Sequence, residues 1–339
     1  MRHYHPAQQG FALAAVLWLM AGLSIVVALV GDATRTSAER VAQLRQRTAF
    51  LRNAYSARAQ AEYWLTAARP RTADFFDGAH SILADDTPYQ TDPDTSISLQ
   101  DTGGLIDLNR TSGQTMLNFL IGCGVPQEQA PFLADALADY VDSDDLHRIN
   151  GAEKDSYAAK GLEPPRNGNL LSEAEVWNVY GWKPYRDTME RNGCASSMTV
   201  EGETTLLGSR LNLATAPPPV LKATGLSDDI IADISRNRAD PEKIAERASL
   251  GNDLLGGGGL FGAGRQVQKI LRVTHRSLEG PWTLTYTLTL DPDDDDRPWS
   301  ITHPVMSAER PTVGKLPLLS WPTEAPPAQS GDAPRSLPF

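Results

Sequence analysis

The stretch FALAAVLWLMAGLSIVVALV, Phe11 to Val30, runs about 20 residues without a charge. At 1.5 Å of rise per residue, a helix of that length crosses a hydrocarbon core. A polar leader, MRHYHPAQQG, precedes it, and Asp32, Arg35, Glu39, Arg40, Arg45 and Arg47 follow. Three readings fit. A cleaved secretory signal has a shorter apolar region, of roughly 7–15 residues, and no clean A-x-A site follows here. An uncleaved single-span anchor fits the composition. In the third, the cut falls between Gly10 and Phe11 and the apolar run stays as the first half of a long helix. The pattern beyond Val30 favours the third: Val41, Leu44, Thr48, Leu51, Tyr55, Ala59 and Tyr63 recur at three- and four-residue spacing until Pro70 ends it. A helix is therefore expected over 11–68. Its outer half, 31–68, is amphipathic and lies outside lipid, since it carries Arg45, Arg47, Arg52 and Arg58.

The rest of the composition narrows the classes. Lys and Arg total 31 against 42 Asp and Glu, a formal charge of −11. A nucleic-acid binder needs a basic face to displace counterions, so that class is set aside. Mean hydropathy of −0.33 excludes a multi-span membrane protein but leaves room for one span. At roughly 150 residues per domain, 339 residues suggest two or three units.

Along the chain, residues 70–95, rich in Asp, Thr and Pro, read as a surface connection. Ile97 and Leu99 alternate with polar residues, and Gly103-Gly104 then leads to Leu105, Ile106 and Leu108: a β-hairpin or two short strands. From Ser112 to about Ala195 the spacing is helical, with stripes at Met116–Leu117–Leu120–Ile121, at Phe132–Leu133–Ala136–Leu137–Tyr140 and at Leu171–Val176–Trp177–Val179–Tyr180. Met198, Val200 and 206–213 read as strands, and 219–248 as helical. The phrases Ile106-Asp107-Leu108-Asn109 and Arg210-Leu211-Asn212-Leu213 each precede a Leu-rich helix and a Gly turn, a weak repeat that suggests two small helical subdomains. Near the end, Val267–Val273 and the strict alternation of Trp282, Leu284, Tyr286, Leu288 and Leu290 with four Thr mark strands, and Trp299 and Ile301 begin a third. The tail from Pro311 is rich in Pro, Ala and Ser and reads as disordered.

A leader ending in Gly, then Phe, then an apolar helix with an amphipathic extension resembles the type IV prepilin and pseudopilin amino terminus. In that family a prepilin peptidase cuts after the Gly, here Gly10, and methylates the new terminus, here Phe11. The fifth residue after the cut is usually Glu; here it is Ala15, which is similar to the K minor pseudopilins of type II secretion systems. Two more stretches carry that resemblance: Asp139-Tyr140-Val141-Asp142-Ser143-Asp144 leading to Gly151-Ala152-Glu153 and Tyr157, and Arg210-Leu211-Asn212-Leu213-Ala214-Thr215-Ala216-Pro217. The resemblance implies an α+β fold: a pilin-like long N-terminal α-helix plus antiparallel sheet, with a large helical, SAM-like insertion domain. On this reading 1–10 is the leader and 11–30 spans the inner membrane. The β scaffold comes from 69–109, 196–213 and 265–304. Helical subdomains occupy 110–195 and, with a Gly-rich loop, 214–264, and 305–339 is a disordered tail. The implied function is assembly of the pseudopilus tip, with the I and J minor pseudopilins and the prepilin peptidase as partners, no catalysis, and a periplasmic body. The alternatives are a single-span periplasmic binding module and a secreted metal-dependent hydrolase.

Within 142–155, Asp142, Asp144 and Glu153 occupy the first, third and twelfth places of an EF-hand-type loop, whose oxygen ligands suit Ca²⁺. Leu146 and His147 stand where an Asp or Asn and the Gly belong, so this is not an ordinary EF-hand. The resemblance implies calcium sites in the helical domain, and a different loop would hold Ca²⁺ through these carboxylates. The competing reading is a solvated acidic loop. Cys123 and Cys194 are the only cysteines, and a body outside the cytoplasm permits a disulfide between them. The run Asp293–Asp296 reads as a solvated turn. The Gly-rich stretch Gly256–Gly264 lacks the Lys-Ser or Lys-Thr of a phosphate loop and reads as a flexible loop.

Overall fold

The computed structural model describes residues 9–111, 113–202, 211–238, 240, 242–244, 246, 266–291, 298–308 and 318–322. The Gly-rich stretch, the run Asp293–Asp296, most of the leader and most of the tail lie outside the described residues. Helix α1 (Gln9–Ala67) holds the whole periodic stretch. The chain forms two compact units, Met1–Asn53 and Ala54–Phe339. In the first, helical side chains from Leu13 through Val30 are exposed, including Trp18 and Leu19. An apolar helix with no protein over it has the composition and length to cross a membrane.

The second unit opens with the last turns of α1, where Ala54, Ala57, Ala61, Trp64 and Leu65 are buried at three- and four-residue spacing. After them come β1 (Arg69–Pro70), β2 (Asp74–Phe76), β3 (Ser81–Leu83), β4 (Asp85–Asp92), β5 (Thr95–Asp101) and β6 (Ile106–Asp107). The helical part follows with α2 (Gly113–Gly122), α3 (Ala130–Val141), α4 (Lys154–Ala158) and α5 (Arg186–Arg191). The chain then runs through β7 (Met198–Thr199), α6 (Pro218–Ala223), α7 (Asp228–Arg236), β8 (Ile270–Ser277), β9 (Thr283–Leu290), β10 (Trp299–Ser307) and β11 (Leu319–Ser320).

The main sheet has the order β10-β9-β8-β5-β4-β11, antiparallel except for the last pair. Its register places Ile97 opposite His275, Leu99 opposite Val273, and Val273 opposite Tyr286. The apolar half of the Thr-alternating strand β9 therefore lines the buried face with Ile97, Leu99 and Leu271, all at 0–6% exposure. Arg58 of α1 lies 5.9 Å from the Tyr286 ring, so the helix end covers this face.

His275 is fully buried there, 3.1 Å from the Tyr286 hydroxyl, with its Nδ1 unpartnered. Burial, then the charges of Arg58 and Arg276, push its pKa down to about 3. A base with a lowered folded pKa takes up its proton more readily when unfolded. Stability is then complete above about pH 6.5 and falls as the pH drops towards 3. Between pH 7 and pH 5 this one group should cost about 2 kcal/mol, and His275→Gln should show a correspondingly flatter urea-midpoint profile over that range.

The helical insertion leaves the sheet through β6 and returns through β7, which pair in parallel with Ile106 opposite Met198. Asn109 clasps this neck: its Nδ2 donates to the carbonyls of Leu170 and Val200, and its Oδ1 accepts from the Leu170 N–H. One hydrophobic core runs from Met116, Phe119 and Leu133 through Trp182 to Val220, Leu221 and Ile234, so both helical parts share it. The disulfide Cys123–Cys194 closes the end of α2 onto the residues after α5.

Three expectations need correcting, and one pair of alternatives is decided. Residues 70–95 are not a loose connection: Phe75, Ile82 and Tyr89 are buried in strands, and the acids that disguise them are structural. Asp77, for example, accepts from the N–H groups of Ala79 and His80 and from Trp64 Nε1. Of the two readings of 97–108, a hairpin or two short strands, the structure has the second, since β5 pairs with β8 and β6 with β7. The stripe at Leu171–Tyr180 is a short 3-10 stretch over Glu173–Asn178, with Leu171 61% exposed. Part of 305–339 is ordered: β10 reaches Ser307, and β11 pairs with β4. Trp321 is buried edge-on against Trp64 and Tyr89. A lone Trp in a Pro-rich tail gives no periodic signal.

Candidate functional site

Between α3 and α4 the chain makes a twelve-residue acidic excursion, and several carboxylates in it and on the flanking helices are matched to protein groups. Asp139, fully buried, accepts from Arg148 Nη1 at 2.8 Å and from the Arg148 N–H at 3.2 Å. Asp145 takes Lys154 Nζ at 2.8 Å, Asp155 faces His147 Nε2 at 2.9 Å, and Asp135 takes the Asn150 N–H at 3.1 Å. Arg148 also reaches Asp142 Oδ2.

The remaining oxygens are different. Asp142, Asp144 and Glu153 each offer one carboxylate oxygen, and these three atoms all lie within 4.8 Å of one another. Glu153 is 1% exposed, and neither of its carboxylate oxygens has a hydrogen-bond partner. Its backbone stands at the N-cap of α4 and accepts from the Ser156 N–H, but its side chain caps nothing. Asp142 Oδ1 is likewise buried and unpartnered. Burial, then the negative charges of Asp139, Asp142 and Asp145, raise the pKa of Glu153 to about 7. Unpaired buried acceptors carry a desolvation penalty of about 1–3 kcal/mol each, more when charged. Oxygens alone, from flexible carboxylates, are the donor set of a hard divalent cation such as Ca²⁺. The residues present fit that ion.

Gly151 sits against this site, where a Cβ would stand 1.8 Å from Asp139 Oδ2. The Gly of the Gly-Ala-Glu phrase is thus required by close approach to a buried carboxylate. Gly151→Ala should lose about 1–3 kcal/mol, read as a shift in chemical-denaturation midpoint.

Asp142, Asp144 and Glu153 are therefore brought together, and Cys123 and Cys194 are joined. Gly10 and Phe11 lie on the first turn of α1. Arg148, which pairs with Asp139 and Asp142, is not singled out by the sequence, where it looks like one more surface cation.

Residues 98–188, which run from β5 through this site into α5, match the family model for type II secretion system, protein K. Over that segment the chain is similar to the type II secretion system protein K family. The likeness extends beyond the matched segment. A chain in the crystal structure of the GspK-GspI-GspJ complex from the enterotoxigenic Escherichia coli type 2 secretion system aligns over 79% of this chain and 99% of its own length, with a TM-score of 0.50. Identity is 14%, so what is shared with that structure is the fold alone. No curated protein matches the chain.

Proposed function

We propose that this chain is the K-type minor pseudopilin of a type II secretion system, acting in the pseudopilus tip that initiates assembly and supports protein export. What carries the reading is the uncovered apolar half of α1, exposed from Leu13 to Val30 in a chain with a protein K body. Such a helix rests in the inner membrane before assembly and among other pseudopilin helices afterwards, with the body in the periplasm. Ala15 suits a subunit with no neighbour ahead of it, because a buried acid there would have no partner. The chain then works by assembly rather than catalysis. The I and J minor pseudopilins are its partners, engaged through the amphipathic stretch that leaves Val41 and Leu44 exposed.

Prepilin peptidase would cut between Gly10 and Phe11 and methylate Phe11. Intact-mass and terminal-peptide mass spectrometry of the protein from its native membrane tests this. A methylated Phe11 terminus is expected; a retained Met1 would instead favour the single-span binding module.

Ca²⁺ would be held by Asp142, Asp144 and Glu153. Its role is to neutralise three converging carboxylates and fix the excursion between α3 and α4. At a Ca²⁺ concentration 100 times Kd the fold should gain about 2.7 kcal/mol. Titration calorimetry should show the affinity lost in Asp142→Ala and Glu153→Ala; affinity unchanged in both would sink the assignment.

A further inference from the structure

The β4 edge of the main sheet is closed by the chain's own late segment. There β11 lies parallel to β4, with Leu319 opposite Tyr89 and Ser320 opposite Gln90. Trp321 follows and donates its backbone N–H to the Gln90 carbonyl at 3.0 Å. Trp321 is 4% exposed, and its ring stands edge-on to Trp64 of α1, 5.8 Å between centroids, and to Tyr89, 6.0 Å away.

Three features mark this segment as a ligand of the edge rather than a member of the sheet. Its ladder is two residues long, and Pro322 has no N–H with which to lengthen it. Leu318, Leu319 and Ser320 are exposed, so the segment is anchored by the Trp321 side chain. Among the described residues, its pairing is parallel while every other neighbour pair in this sheet is antiparallel. A segment with so few contacts opens locally at far lower free energy than the strands around it.

The slot that receives the ring is built without it. The Trp64 indole N–H donates to Asp77 Oδ2 at 3.1 Å, and the Tyr89 hydroxyl accepts from the Leu83 N–H at 2.8 Å. Neither bond involves the late segment, so both walls keep their places when Trp321 leaves. An open strand edge beside a ready apolar slot is the equipment of β-strand addition. Main-chain hydrogen bonds then supply affinity, and the pocket for a side chain supplies selectivity.

We propose that the β4 edge, with Trp64 and Tyr89, is a docking site for an extended, Trp-bearing segment of a partner protein, and that Leu319–Trp321 occupies it in cis until that segment displaces it. The resident defines the partner's chemistry: two residues running parallel to β4, then a Trp. The proposal does not depend on the subunit assignment.

The probe is a fluorescently labelled peptide of residues 315–325, added to the full chain in mild detergent, with binding read by anisotropy. Urea unfolding confirms that each variant is folded. Trp321→Ala empties the slot and should bind the probe roughly tenfold more tightly than wild type, where the tethered resident competes at its own effective concentration. A second change, Tyr89→Leu, should abolish that binding, and a probe carrying Trp321→Ala should not bind. Equal affinity of wild type and Trp321→Ala, or no binding to folded Trp321→Ala, overturns the proposal. Hydrogen exchange on the wild-type chain tests release without any variant. The Trp321 N–H should exchange roughly 100-fold faster than the N–H groups of β5 and β8; equal protection overturns release. A wild-type dimer that Trp321→Ala dissolves would put a second copy's segment in the slot, which overturns the partner reading.

Discussion

Removing the Cys123–Cys194 disulfide as a Cys→Ser pair should cost about 4 kcal/mol of unfolding free energy. The two residues are 71 positions apart, so the bond closes most of the helical insertion into one loop. In the chain-entropy account, a loop of that length loses roughly 4 kcal/mol of denatured-state freedom when cross-linked. The bond joins two buried residues at 0% exposure within the same hydrophobic core, and the Cys123 carbonyl accepts from Asn192 Nδ2 at 3.0 Å. The native backbone is thus held by other contacts, and the effect should fall mainly on the unfolded chain. Urea unfolding under oxidising and reducing conditions checks this. Wild-type protein should lose midpoint on reduction, and the Ser pair should be insensitive to reductant. A midpoint that does not move in either case would mean the loop is already restrained when unfolded.

The second large effect belongs to Asp101, at the junction of sheet and insertion. Its carboxylate is fully buried and collects four donors: the Gly103 N–H at 2.9 Å, the Gln268 N–H at 3.2 Å, Asn212 Nδ2 at 2.8 Å and Thr215 Oγ1 at 2.9 Å. These come from the end of β5, the approach to β8 and the segment before α6. Burial pushes the Asp101 pKa up and the four donors pull it back, with burial the larger. Asp101→Ala strands four buried donors at once and should cost roughly 3–5 kcal/mol. Asp101→Asn keeps one acceptor but turns an NH₂ towards donors, so it should fall between wild type and Ala. Equal stability of Ala and wild type in chemical denaturation would contradict the hub.

That hub shows how much of the fold was legible. The phrase Arg210-Leu211-Asn212-Leu213-Ala214-Thr215 is recognisable as a motif in the sequence, but what it does is visible only in three dimensions. Asn212 and Thr215 reach Asp101, more than a hundred residues earlier, and Asn212 also donates to the Thr72 carbonyl. Long helical periodicity and the Thr alternation of β9 were readable because each is a local pattern repeated over many residues. Strand β4 was hidden because Asp and Pro make up half of it, and β2 and β3 because three residues each are too few to show an alternation. The candidate site divides the same way. The spacing of Asp142, Asp144 and Glu153 lies within one segment and could be counted, whereas the pairing of Arg148 with Asp139 and Asp142 leaves no pattern to count.

On the proposed function, the chain joins the I and J minor pseudopilins of its own system as the K subunit. The most direct measurement is co-purification of the full chain, expressed with those two proteins and prepilin peptidase and extracted in mild detergent, followed by size-exclusion chromatography with mass determination. The account predicts a single species containing all three pseudopilins. An I–J species eluting without this chain, with the chain running alone, would contradict it.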